Sequence, residues 1–383
     1  MENTVLDYLA QSAVFININH WLSPIVGNAA TPILLGILLL VVALAITVVM
    51  ATVGGFGTYA ERKISADIQG RLGPNRVGPY GILQVLADGI KMVSKEDIAP
   101  KTADKFLFYL APFLCVFGVI STFAVMPISS GFTLSNLNVG IFYLLAISSL
   151  VGVGIFLGGY ASNSKWSLLG GMRGASQIIS YEIPVTLSIM SVVVMSGSLS
   201  FNGVLALQGG LPHQWLIFHN PFMFIGFFIL FIAALAETNR APFDLPEAES
   251  ELVSGYHTEY TGIRFGLFAL AEYMEVFVVS AVASALFLGG YLVPFNLGGD
   301  GAVGQILQIA IFMAKALALY YVVIWIRWTF PRLRVDQLMS VCWKYLTPIA
   351  IVNLIGNAIW LVVFDGKSVL QIISSLGGGG THH

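Results

Sequence analysis

Eight long apolar runs constrain the fold of this chain more than any other feature. A helix that crosses a bilayer needs about 20 mostly apolar residues, and each run is close to that length. Only 10% of the residues are charged, whereas soluble domains have about 25%. We therefore predict an all-α integral membrane protein with eight transmembrane helices. The runs cover residues 33–59, 106–126, 140–160, 177–197, 221–238, 264–290, 304–328 and 345–364.

The ends of the chain differ from these runs. Residues 4–22 place apolar side chains on one side at helical spacing but are too interrupted to span, so we expect an amino-terminal interfacial helix. The first span is longer than a bilayer requires, which predicts a tilt. We predict that residues 377–383 are a flexible tail and that residues 1–376 form one polytopic membrane domain. No basic segment precedes the first apolar run, so no cleaved signal peptide is expected.

The positive charges give the predicted orientation. Lysine and arginine occur in the first, third, fifth and seventh connections between spans, and in none of the others. Connections rich in Lys and Arg stay on the cytoplasmic side. Both termini are then periplasmic, and the fifth connection faces the cytoplasm.

The fifth connection concentrates acidic residues. It reads ETNRAPFDLPEAESELVSGYHTEYTG and has one arginine, Arg240. Apolar and aromatic residues alternate with the acids, which favours a partly buried surface over a solvated loop, although the loop interpretation stays open. Its acids are Glu237, Asp244, Glu247, Glu249, Glu251 and Glu259.

Ionisable residues also lie within the predicted spans. Such groups are costly in a bilayer unless they face protein or water, so they are candidates for function. A buried, hydrogen-bonded glutamate is the structural alternative, and Lys315 could be the counter-charge of one of the acids. The residues within spans are Glu182, Glu272, Glu275 and Lys315, and Glu237 and Arg327 lie near span ends.

Nothing in the sequence indicates a redox centre or a nucleotide site. Cys115 and Cys342 are far apart and form no ligand motif, so a structural role is expected for both. The sequence has no P-loop, no HExxH motif and no dinucleotide glycine fingerprint.

Several long motifs resemble one known family. They read GPNRVGPYG at 73–81, ADGIKMVSKED at 87–97, ASNSKWSLLGGMRGASQIISYE at 161–182, AETNRAPFDLPEAESELVSGYHTEYTGIRFGLFALAEY at 236–273 and WIRWTFPRLRVDQLM at 325–339. In this order they resemble the quinone-site membrane subunits of respiratory complex I, which are the H subunit of the bacterial NADH:quinone oxidoreductase and subunit 1 of the mitochondrial enzyme.

The resemblance implies a subunit of a proton-pumping enzyme, with no cofactor of its own. It implies a chamber, formed with peripheral subunits, that admits ubiquinone or menaquinone from the bilayer. NADH, flavin and iron–sulfur clusters would bind to partner subunits, and the terminal cluster would reduce the quinone. Further implied partners are small membrane subunits and antiporter-like subunits. The implied location is the bacterial inner membrane, with the mitochondrial inner membrane as the alternative; no nucleic acid is implied.

The resemblance also implies roles for individual residues. Around the quinone chamber and its acidic loop it implies Glu61, Arg62, Asp88, Arg240, Phe243, Asp244, Glu247, Glu249, Glu251 and Glu259. For the proton path it implies Glu182, Glu237 and Glu272, with Arg327 and Arg332 as compensating positive charges. We add Lys315 to the path from its position within a span. Glu275 is outside the motif and receives no role.

Two other functions remain as alternatives. One is the homologous anchor subunit of a membrane-bound hydrogenase or formate-oxidising complex, which would bind no quinone. The other is a free-standing secondary transporter, for which repeated halves with interrupted helices would be expected; we find no such repeat.

Overall fold

Helices form every long element of the described chain. The computed structural model describes residues 30–246, 249–294, 299 and 301–372, and within these ranges it contains no β-strand. The prediction of an all-α membrane protein is confirmed. The predicted interfacial helix at residues 4–22 and the predicted tail at 377–383 lie outside the described residues.

The helices are numbered here in chain order. They are α1 (Ala30–Ile68), α2 (Gln84–Ser94), α3 (Lys105–Phe123), α4 (Gly140–Ala161), α5 (Lys165–Ser196), α6 (Phe201–Ala206), α7 (Pro221–Glu237), α8 (Glu249–Leu252), α9 (Gly262–Phe287), α10 (Ala302–Thr329), α11 (Val335–Ser340) and α12 (Thr347–Phe364). A π-helical turn, Val341–Leu346, joins α11 to α12. A 3₁₀ turn, Gly255–His257, lies between α8 and α9.

Each of the eight predicted spans overlaps a helix, with bounds that differ by up to 12 residues. Within the described residues, seven helical segments are long and apolar enough to cross a membrane. The remaining one, α7, has 17 residues and is about 26 Å long at 1.5 Å per residue. That is at the short end of the range for spanning helices.

Two helices extend well beyond their apolar runs. Helix α1 continues through the charged sequence at residues 61–63, because Glu61 points into the protein, where arginines pair with it. Helix α5 begins at Lys165, before its apolar run, because its first turns pack closely on neighbouring backbone. A Cβ atom on Gly170 would lie 2.6 Å from the backbone nitrogen of Tyr256, so only glycine fits there.

Helix α9 occupies the centre of the bundle. It packs against α1, α3, α7 and α10, and its second half is almost entirely buried. Helix α1 instead lies at the rim. Only 6% of its most apolar 18-residue stretch is buried inside the bundle. Helix α9 carries two acidic residues, Glu272 and Glu275, into this bundle.

Candidate functional site

A buried arginine organises the ionisable residues at one end of the bundle. Arg240 follows α7 and is 5% exposed. Its Nη1 donates to Oε2 of Glu61, on α1, at 3.1 Å. Its Nη2 lies 3.9 Å from Oε2 of Glu272, on α9. The guanidinium carbon stacks over the ring of Tyr273, 4.0 Å from the ring centroid. Arg240 therefore connects α1 to α9.

Glu61 receives a second arginine from α10. Arg327 Nη1 pairs with Oε1 of Glu61, so the two carboxylate oxygens of Glu61 bind different guanidinium groups. Burial by itself lowers the pKa of Arg240, but Glu61, Tyr273 and Glu272 outweigh it and hold that pKa above its ordinary value. The guanidinium stays charged, and the cluster is a buried ionic network.

Hydrogen bonds and ring packing hold the connection after α7 against α5. Gln177 Nε2 donates to the backbone oxygens of Ala236 and Phe243, both at 2.7 Å. The Phe243 ring is buried, with its centroid 5.8 Å from that of Tyr181. These contacts fix the backbone that carries Arg240.

Asp244 and Arg332 meet beside this connection. Arg332 Nε donates to the backbone oxygen of Asp244 at 2.7 Å, and the amide of Leu333 donates to the oxygen of Pro242 at 3.0 Å. Burial raises the pKa of the Asp244 carboxyl, and the nearby Arg332 opposes that increase. Asp244 therefore binds protons more readily than a surface aspartate does.

Glu272 has a tyrosine partner from the 3₁₀ turn. The Tyr256 hydroxyl donates to Oε1 of Glu272 at 2.9 Å. His257 stacks on Tyr256 with ring centroids 4.9 Å apart. Burial lowers the pKa of His257, with Glu272 acting in the opposite direction, so the neutral imidazole is favoured at pH 7.

A second group of residues lies where α1 and α2 meet. Arg62 Nη1 pairs with Oδ2 of Asp88 at 2.5 Å, and Gln84 Nε2 donates to Oδ1 at 2.9 Å. Arg62 and Asp88 line a cavity of about 400 Å³ between α1, α2 and α9. Tyr273 also lines this cavity, so the tyrosine under Arg240 faces it directly.

In the described part of the acidic loop, the acids have separate surroundings. Glu251 is exposed and pairs with Arg173 on α5, with 2.7 Å between Oε2 and Nη1. The hydrogen bond from Arg173 lowers the pKa of Glu251. Glu259 is half-buried. Glu247 lies outside the described residues, as does the side chain of Glu249.

Two carboxylates of the spans share a cavity of about 50 Å³ among α3, α4, α5, α7 and α9. They are Glu237, at the end of α7, and Glu275, on α9, and both are buried. Glu182 lines a different cavity, of about 420 Å³, between α4 and α5. Glu182 is half-buried and interacts electrostatically with Glu237.

Lys315 has backbone carbonyl partners in the described part of the chain, and no salt bridge with an acid of the spans is found there. Its ammonium donates to the backbone oxygens of Leu288 and Gly290, at 2.8 and 2.9 Å, just after α9. Glu272 precedes Leu288 by 16 residues, or about 24 Å along a helix. Lys315 satisfies carbonyl groups at the other end of α9, a partnership that span hydropathy could not indicate.

Two tyrosines of the site were not predicted. Tyr256 and Tyr273 contact Glu272 and Arg240 respectively. Tyr273 had a usable signal, because it directly follows Glu272 inside an apolar run. Tyr256 had only its place among the acids.

Comparison with known proteins gives a consistent family. The family model described as NADH dehydrogenase matches residues 39–358. The chain is 45% identical over 354 residues to the NADH-quinone oxidoreductase H subunit of Chlorobium luteolum, covering 90% of this chain and 95% of the relative. It is 46% identical over 337 residues to the H subunit of Anaeromyxobacter dehalogenans, covering 84% and 82%. It is 49% identical over 302 residues to the H subunit of Bacteroides thetaiotaomicron, covering 78% and 83%.

Proposed function

The chain belongs to the NADH dehydrogenase family, as a membrane subunit of NADH-quinone oxidoreductase of the H type, and we propose that it forms the quinone chamber and begins the proton path. The electrons would come from NADH through flavin and iron–sulfur clusters held by partner subunits. The peripheral subunit with the terminal cluster would close the chamber on the cytoplasmic side. Small membrane subunits and antiporter-like subunits would be its neighbours in a bacterial inner membrane, with both of its own termini periplasmic.

The cavity between α1, α2 and α9 supports the quinone assignment. Its volume of about 400 Å³ is within the range of small-molecule pockets. Much of its wall is apolar, including Ala51, Val85 and Leu270, while Arg62 and Asp88 supply polar groups. A quinone has an apolar body and a polar head, which suits such a wall.

One observation carries the proposal: Tyr273 lines this cavity and also lies under the guanidinium of Arg240. A quinone head group in the cavity would then be separated from the ionic network by a single aromatic ring. Reduction of a quinone to a quinol adds two electrons and takes up two protons. The transient negative charge would act on Arg240 and, through it, on Glu61 and Glu272.

The proton path would begin at that network. We propose that Glu272, Glu237 and Glu182 carry protons from it through the membrane domain, with Arg327 and Arg332 as compensating charges on the cytoplasmic side. Asp244, Phe243 and the loop acids Glu247, Glu249, Glu251 and Glu259 would form the wall facing the peripheral subunits. The carbonyl partners of Lys315 favour a structural role for that residue.

The quinone assignment is tested by filling the cavity. Gly89, on α2, lines it, and Gly89→Trp would occupy its volume. Gly36→Trp is the matched control, because a Cβ atom there meets nothing within 4 Å and the residue is exposed on α1. Both variants are made in the assembled complex, and NADH oxidation is measured with a soluble quinone analogue and, separately, with ferricyanide.

We expect Gly89→Trp to raise the KM for the quinone analogue while ferricyanide reduction stays at the wild-type rate. The Gly36→Trp variant should match wild type in both assays. Unchanged quinone kinetics in an assembled Gly89→Trp complex would contradict the chamber. A wild-type complex with no quinone reduction at all would favour the anchor-subunit alternative.

A further inference from the structure

Glu275 is a buried carboxylate to which neither the sequence motif nor the ionic network gives a role. It lies on α9, three residues after Glu272, and is 7% exposed. Residues three apart are neighbours on one side of a helix. Glu275 makes no hydrogen bond and no ion pair with any residue in the described ranges. Such a group is costly to bury unless it is neutral or hydrated.

The cavity next to Glu275 has space for water, although much of its wall is apolar and its polar groups are few. Its volume of about 50 Å³ has room for roughly three to five waters, since each needs about 10–15 Å³. Glu275 and Glu237 both line it, together with Thr122 and Ser148. Both hydroxyls donate to carbonyls of their own helices, which leaves their oxygens free to accept from water.

Glu275 is also close to acids on both sides of it, Glu272 on its own helix and Glu237 on α7. It interacts electrostatically with Glu237 and with Glu272. Glu275 and Glu237 line the same cavity, and Glu275 is about one helical turn from Glu272 on α9. Glu275 therefore lies between Glu272, which belongs to the ionic network, and Glu237, which shares its cavity.

We propose that Glu275 carries protons between Glu272 and Glu237 through water in this cavity. In each transfer an O–H bond of one carboxyl breaks, a water gains that proton and releases another, and a new O–H bond forms on the next carboxylate. No electron moves, so the step needs no oxidant or reductant. This inference rests on the proposed proton path and adds a residue to it.

The test compares three carboxyl-to-amide variants of the assembled complex in proteoliposomes. Glu275→Gln removes the proposed link and keeps its volume. Glu237→Gln interrupts the path independently. Asp365→Asn is the matched control, because Asp365 is exposed and lies after α12. The measurements are NADH oxidation with a soluble quinone analogue, protons pumped per electron, and the redox-induced infrared difference spectrum in the carboxyl region.

We expect Glu275→Gln and Glu237→Gln to lower pumping-linked turnover by about tenfold or more, and Asp365→Asn to leave it at the wild-type level. Glu275→Asp keeps a carboxyl group and should restore most of the turnover. A carboxyl band present in wild type and Glu275→Asp should be missing from Glu275→Gln. A residue needed only for packing would not produce that spectral difference.

The two proposals fail in different ways. Normal pumping in Glu275→Gln with a defect in Glu237→Gln would overturn the role of Glu275 and leave the proton path intact. Normal pumping in both variants would overturn the path and with it the link. A defect in Glu275→Gln with no change in the carboxyl region would also overturn the proposed link.

Discussion

Replacing Glu61 by glutamine should cost more stability than replacing its more exposed partner, Arg327. Glu61 and Arg240 have side chains that are 8% and 5% exposed. Removing one member of such a buried pair leaves the other uncompensated and costs about 3–5 kcal/mol. In Glu61→Gln, the one carboxylate that stays near Arg240 among the described residues is Glu272, 3.9 Å away.

Arg327→Gln is the matched comparison. The Arg327 side chain is 27% exposed, and its loss leaves Glu61 paired with Arg240. A partly exposed pair contributes about 0–1 kcal/mol, so Arg327→Gln should be the milder change. The double variant Glu61→Gln with Arg240→Gln removes both charges of the buried pair. It should cost less than the sum of its single changes, by about 0.5–3 kcal/mol.

The assay is equilibrium unfolding of the purified chain in mixed micelles, followed by tryptophan fluorescence, with a double-mutant cycle for Glu61 and Arg240. Equal losses of unfolding free energy in Glu61→Gln and Arg327→Gln would refute the assignment of Glu61 to a buried pair. Additive losses in the cycle would refute the coupling between Glu61 and Arg240.

Three further predictions concern the same end of the bundle. Gly170→Ala puts a Cβ atom 2.6 Å from the backbone nitrogen of Tyr256 and should cost about 1–3 kcal/mol, measured as a lower Tm of the complex. Tyr256→Phe removes the hydroxyl that donates to Glu272 at 2.9 Å. Because that hydrogen bond orients a carboxyl group of the proposed proton path, quinone reductase turnover should fall by about tenfold or more. Arg173→Gln should let the lowered pKa of Glu251 return towards its ordinary value, measured by pH titration of its carboxylate infrared band. Because that pKa is lowered in the fold, the stabilisation it brings is present above the ordinary glutamate pKa and is lost as pH falls through the lowered value.

Each of these has a contradicting outcome. An unchanged Tm for Gly170→Ala would mean that α5 and the 3₁₀ turn do not pack as described. Wild-type turnover in Tyr256→Phe would separate Glu272 from the reaction. An unchanged titration of Glu251 in Arg173→Gln would remove Arg173 as the cause of its lowered pKa.

The spans were predictable because each depends on a local run of apolar residues. A helix of about 20 such residues satisfies its own backbone in lipid, so its position can be predicted without its neighbours. The ends of α1 and α5 were less predictable. Helix α1 continues through residues 61–63 because arginines remote in sequence neutralise Glu61, and the start of α5 depends on glycine contacts with other segments.

The residues of the ionic network could be selected from the sequence, but their pairing could not. The motif resemblance selected Glu61, Arg240, Glu272 and Arg327, and the structure brings all four together. The Glu61–Arg240 pair joins residues 179 positions apart, and no helical spacing predicts a contact of that range. Glu275 had no motif to mark it, and its place beside Glu237 appears only when α7 packs against α9.

The most direct measurement for the central claim is photo-crosslinking of the assembled complex with a photoreactive quinone, followed by mass spectrometry of the labelled peptides. The cavity predicts adducts on α1, α2 and α9, at residues such as Ala51, Val85 and Tyr273. These adducts should disappear when excess unlabelled quinone competes. Competable labelling confined to other helices of this chain, or to partner subunits alone, would contradict the claim that this cavity brings the quinone to the Glu61–Arg240 network.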